Sequence, residues 1–115
     1  MLESQSRIPL TIVSTLTATP GKEQQLRAAM LAIVRPSRQD PGNIDFNIHL
    51  AKGSAGEFVI IEHWIDEAIL GKHKKGEAFA NLLRIAKDRG LIQSGPHEEH
   101  LSSITPRNKT CQSVW

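Results

Sequence analysis

The sequence has a single cysteine, Cys111, among its 115 residues, so no disulfide can close within the chain and no thiolate cluster can hold a metal. Such sparing use of cysteine suits a reducing, cytoplasmic setting. Long hydrophobic runs are missing as well. The longest aliphatic and aromatic stretch, Phe58-Val59-Ile60-Ile61, falls far short of the roughly 20 residues that cross a bilayer. Residues 1–7 are polar and no apolar core of the right length follows them, so no signal peptide is expected. Charge of one sign is scarce: 14 Lys+Arg against 12 Asp+Glu leave a net +2, and the scattered cations argue against a nucleic-acid partner. The one dense run, Lys72-His73-Lys74-Lys75, reads as the solvated face of a helix. Neither His-Glu-x-x-His, a P-loop nor Gly-x-Gly-x-x-Gly occurs, so zinc-peptidase, NTPase and dinucleotide-binding chemistry lack support.

What is present describes one globular domain. The hydrophobic fraction is 39% before glycine is counted, and the length leaves no room for a second core. The domain is expected over residues 1–104, with residues 105–115 as a tail whose terminal Trp115 is expected to pack on its own barrel or on a partner. Residues 8–17 alternate β-branched and polar types and read as a first strand. Thr19-Pro20-Gly21 predicts an N-cap hydroxyl followed by proline in the first turn of a helix, with Leu26, Ala29, Met30, Ile33 and Val34 as its buried stripe and Pro36 ending or kinking it. Asp40-Pro41-Gly42-Asn43 is a turn by composition. Residues 44–51 alternate without a break, with Ile44, Phe46, Ile48 and Leu50 on one face and Asp45, Asn47 and His49 on the other. Residues 57–64 return as a third strand across a glycine-containing loop, which predicts an antiparallel hairpin. Helical segments are expected over about 67–75 and 77–89, the second with Phe79, Leu82, Leu83 and Ala86 as its stripe and Gly90 as its end. A fourth strand is expected over 97–104, on which His97 and His100 would face opposite sides and so could not share a metal.

The order β-α-β-β-α-β is that of the ferredoxin-like α+β fold, a four-stranded antiparallel sheet with both helices on one face. The other face would be bare in a monomer. A face-to-face homodimer is the symmetric way to cover it.

Several segments in this order resemble the antibiotic biosynthesis monooxygenase family over roughly residues 8–102. They are Ala18-Thr19-Pro20-Gly21-Lys22-Glu23, Asp40-Pro41-Gly42-Asn43-Ile44-Asp45-Phe46, Phe58-Val59-Ile60-Ile61-Glu62-His63-Trp64, and His73 followed by Phe79. The resemblance implies a dimeric α+β barrel and, for several members, oxygenation of aromatic polyketides or quinols with neither metal nor flavin. It also implies that fold is better defined than reaction, because the family includes haem-degrading enzymes and isomerase-like relatives. Two departures matter. The second histidine that many relatives carry before the helix phenylalanine is Ala78 here, and the asparagine, tryptophan and histidine ligand of the haem-degrading branch fall on Ser14, His73 and Leu83. Haem degradation is therefore not expected.

Side-chain direction suggests the same region. If the hairpin pairs His49 with Ile60 and Asn47 with Glu62, then Asn47, His49, Glu62 and Trp64 share one face, which His73 could reach from the following helix. Removing a phenolic or enolic proton needs a base near neutral pH, for which His73 and His49 are candidates. Asn47 and the Trp64 N–H are candidate donors to the oxyanion, the Trp64 ring and Phe79 candidate contacts for an aromatic ring, and Glu62 a residue that orients its neighbours. Each also has a plainer reading: Glu62 as a structural carboxylate held by backbone or by a neighbouring arginine such as Arg84, Trp64 as core, His49 as an ordinary polar strand residue and His73 as solvent-facing. His63 is expected on the dimer side. The expected function is a cofactor-independent monooxygenase acting with O2 on a small aromatic, polyketide or quinol-type substrate. A proton-shuttling isomerase of the same fold and a non-catalytic metabolite-binding protein are the alternatives.

Overall fold

The structure, a computed structural model, describes residues 9–68 and 77–105. Strand β1 (Leu10–Ala18) is followed by helices α1 (Glu23–Leu31) and α2 (Val34–Gln39). The hairpin β2 (Asn43–Leu50) and β3 (Glu57–Trp64) comes next, then helix α3 (Glu77–Asp88) and strand β4 (Ile92–Ser102). The strands form one antiparallel sheet in the order β2-β3-β1-β4. This is the ferredoxin-like arrangement expected from the element order. Leu26 and Met30 of α1 and Leu82 and Ala86 of α3 join Ile12, Leu16, Phe46, Phe58, Ile60 and Trp64 in one core, so both helices cover the same face. Strict alternation on β1 produces this: Leu10, Ile12, Ser14, Leu16 and Ala18 are buried, while Thr11, Val13, Thr15 and Thr17 are half-buried on the other side. Among the described residues no helix is long and apolar enough to cross a membrane.

Three local expectations are corrected. The first helix breaks at residues 32 and 33, before Pro36, which lies in the first turn of α2. A proline ring there meets no intrahelical hydrogen bond, whereas in a continuous helix it would collide with the carbonyl of Ala32. Thr19 does not cap α1, whose N-cap is Lys22. Instead Thr19-Pro20-Gly21-Lys22 forms a turn closed by the Lys22 N–H on the Thr19 carbonyl, with Gly21 at φ 88°. The Thr19 hydroxyl donates to the carbonyl of Gly90 at 2.6 Å and Lys22 Nζ to that of Arg89 at 3.3 Å, so the turn caps the far end of α3. Strand β4 begins at Ile92, not residue 97, and runs through Gly95 at a break in its register with β1. A Cβ at Gly95 would press into the Thr15 carbonyl, and its φ of +94° also favours glycine, so glycine at this point is what lets two backbones meet.

Glu67 and Ala68 are helical, as expected. The rest of the segment expected over about 67–75, with His73 and the lysine run, and the tail beyond residue 105 with Trp115, lie outside the described residues.

Candidate functional site

The helix-facing side of β3 carries Phe58, Ile60, Glu62 and Trp64, all buried. Glu62 is the charged member of this row, 3% exposed, level with Ile12 on β1 and Phe46 on β2. A carboxylate so placed must be hydrogen-bonded. Its Oε1 accepts the indole N–H of Trp64 at 2.9 Å. Trp64 is two residues along the same strand, and the period of two puts both side chains on one face.

A narrow cleft runs between this face and α3. Ser14, Ile60 and Glu62 form its floor, Phe79, Leu82 and Leu83 its helical wall, and Pro96 and Glu98 its β4 side. Its free volume is about 10 Å³, the scale of one water. Ser14 is 3% exposed in a pocket otherwise largely apolar. Sequence reasoning noted this serine only as a missing asparagine. The signal was available, because Ser14 is the polar residue in the apolar alternation Leu10, Ile12, Leu16.

The expected convergence of Asn47 and His49 with Glu62 does not occur. The register pairs Asn47 with Ile61 and His49 with Val59, one residue away from the expected pairing. Partners directly opposite share a face, so Asn47 and His49 lie on the side away from the cleft. Burial decides between the two registers: the observed one places Phe46 beside Glu62 in the core, and the other would turn it to the open side. His49 is exposed, and the Asn47 Oδ1 accepts from Arg38 Nη2 at 2.8 Å. Trp64 is also used differently from expectation. It is fully buried, with its N–H donated to Glu62 in place of a developing oxyanion. Arg84 hydrogen-bonds Asn81 on the exposed side of α3. Phe79 belongs to the apolar stripe of α3 and is half-buried on the cleft wall. His63 lies opposite Glu62 on the open face, as expected, and its Nδ1 is 2.7 Å from Asp45 Oδ1. His97 and His100 are level with Thr15 and Ile12 and so point to opposite faces.

These elements make a ferredoxin-like α+β domain with a buried carboxylate and a buried serine facing an apolar cleft beneath a helix. The chain belongs to the antibiotic biosynthesis monooxygenase family, whose pattern it matches over residues 9–84. It is 24% identical over 85 residues to the Bacillus subtilis (strain 168) protein named "Putative monooxygenase YcnE", covering 74% of this chain and 87% of that one. The crystal structure of PA3566 from Pseudomonas aeruginosa superposes with a TM-score of 0.81 at 30% identity, over 87% of this chain and 98% of that one. The structure of a Nitrosomonas europaea protein named "Putative antibiotic biosynthesis monooxygenase" superposes with a TM-score of 0.76 at 17% identity, over 85% of this chain and 100% of that one, and shows the fold.

Proposed function

We propose that this protein is a monooxygenase that uses no metal or flavin and oxidises a small aromatic, polyketide or quinol-type substrate with O2 in the cleft beneath α3. The observation that carries the reading is that a buried carboxylate, Glu62, and a buried serine, Ser14, line the same apolar cleft. Family membership and the name of the B. subtilis relative support the reaction class. The substrate supplies the electrons: an activated ring CH2 and O2 give the ring carbonyl and one water. The protein's share is to take a proton, to hold the resulting anion and to keep bulk water out. His73 takes the role of base in this proposal, Ser14 donates to the substrate oxygen, Glu62 positions, and Trp64 holds Glu62 in place. Phe79 meets the ring face, and with Leu83 it must swing aside to admit a ring to so narrow a cleft.

The open sheet face supports a homodimer. Val13, Val59 and Ile61 are half-buried there and Leu101 is 46% exposed, an apolar strip that a second copy would cover. We place this dimer in the cytoplasm, on the cysteine usage.

Oxygen consumption by metal-stripped, flavin-free protein against anthrones, naphthoquinols and catechols tests the reaction, with His73→Ala and Ser14→Ala beside it. Uptake that falls in both variants is expected. No uptake with any of these substrates would overturn the oxygenase reading in favour of oxygen-independent chemistry.

A further inference from the structure

A second concave surface lies along the outer edge of the sheet, away from the cleft beneath α3. There α1 and α2 pass over β2 and leave a groove of about 620 Å³, within the usual range for small-molecule sites. Leu31, Val34 and Ile48 make its apolar part, and Arg35 and Arg38 its charged part. A second cavity of about 160 Å³ shares Leu31 and Ile48 and adds Leu50, Arg27 and His49. Leu31 is 53% and Leu50 44% exposed, so an apolar strip is open to solvent. Three arginines border it, and no carboxylate lines either cavity among the described residues.

Arg38 is built into this place. Its Nε donates to the Phe46 carbonyl at 3.0 Å and its Nη2 to Asn47 Oδ1 at 2.8 Å. Two neutral acceptors therefore fix the guanidinium without neutralising it, and three of its five N–H bonds have no partner among the described residues. A fork held in advance loses little side-chain freedom when it meets an anion. Arg35 has no hydrogen bond or ion pair among the described residues.

We infer that this groove binds a small amphipathic organic anion, its carboxylate, sulfonate or phosphate on Arg35 and Arg38 and its apolar body along Leu31, Ile48 and Leu50. Charge complementarity carries the choice of ligand. Two positive groups beside exposed leucines would repel a cationic partner, and a wholly apolar one would leave the guanidinium groups partly stripped of water with nothing gained.

The test is fluorescence titration of the full chain with 1-anilinonaphthalene-8-sulfonate, an amphipathic aryl sulfonate, followed by displacement with decanoate. One saturable site per chain is expected, displaced by decanoate and weakened by added salt. Arg35→Gln disturbs no contact described above and should weaken binding about tenfold, and Leu31→Glu, which puts a carboxylate at the mouth, should abolish it. The inference is overturned if both variants bind as the wild type does, if Ser14→Val in the inner cleft removes binding in their place, or if binding appears only on dilution that separates two copies, which would make a second chain the occupant.

Discussion

Glu62 and Trp64 are joined on one face of β3 by a 2.9 Å hydrogen bond from the indole N–H to the buried carboxylate. Trp64→Phe keeps an aromatic ring in the core and removes this donor, so it should destabilise the protein by about 1–3 kcal/mol. Glu62→Gln keeps an acceptor for the indole and should cost less. Urea denaturation of both variants checks the order. Equal stability of Trp64→Phe and wild type would show that the bond does not hold the carboxylate.

The observed register makes a distinction between two pairs of polar residues. Ser14→Ala removes a hydroxyl from the cleft and should lower kcat/KM for oxygen uptake by about 10- to 100-fold, the consequence of a lost hydrogen bond to substrate. Asn47→Ala and His49→Ala act on the far side of the sheet and should leave it within about twofold. Initial rates at an oxygen electrode decide. A large loss in His49→Ala would return that histidine to the chemistry.

Gly95→Ala should be the more damaging of two glycine substitutions. The new Cβ would press into the Thr15 carbonyl at a φ of +94°, whereas at Gly53, φ +83°, nothing lies within 4 Å. Gly53→Ala should cost about 1 kcal/mol for the left-handed backbone alone, and Gly95→Ala clearly more, about 3 kcal/mol. Thermal and denaturant midpoints measured side by side test the ranking.

Thr19→Val removes the hydroxyl that donates to the carbonyl of Gly90 and should cost about 1 kcal/mol. The effect is local as well. Hydrogen exchange should quicken at the C-terminal turn of α3 and at the Leu91 amide, which closes that turn on the Ala86 carbonyl at 2.9 Å. Unchanged exchange there would mean that Gly90 and its own backbone bonds end the helix unaided.

The open sheet face should be the dimer contact. Ile61→Glu places a charge in the middle of it and should yield a species sedimenting at the 12.7 kDa of one chain, while the wild type sediments as two. A wild type that is already monomeric would remove the homodimer from the proposal.

Much of this architecture can be read along the chain, because the signals are local. Alternation in residues 10–18, 43–50 and 57–64 defines strands without knowledge of their neighbours, since a period of two follows from the backbone alone. The same holds for the stripe of α3 and its end at Gly90, where φ is 61°. The family, too, is legible in short motifs held by turns: Pro20-Gly21 and Pro41-Gly42 each set a glycine at positive φ.

Composition also misled at particular points. Thr19 looks like a helix cap, but its hydroxyl reaches a carbonyl 71 residues away. The fourth strand, expected from residue 97, begins at Ile92 and takes in Gly95-Pro96. Whether a short polar or glycine-rich segment is a terminus or a point of close approach depends on what the fold brings beside it.

The register of the hairpin was decided only by the tertiary structure. The segment Lys52-Gly53-Ser54-Ala55-Gly56 predicts that the chain turns back, but not how β2 and β3 align. The alignment is closed by the Ala51 N–H on the Glu57 carbonyl, with Ser54 Oγ accepting from the amides of Gly56 and Glu57. One residue of slip exchanges the two faces of a strand, so the side on which Asn47 and His49 lie depended on which alignment could turn Phe46 and Ile48 into the core. Sequence period determined which residues keep company on each strand, and packing of the core determined which of those companies faces the cleft.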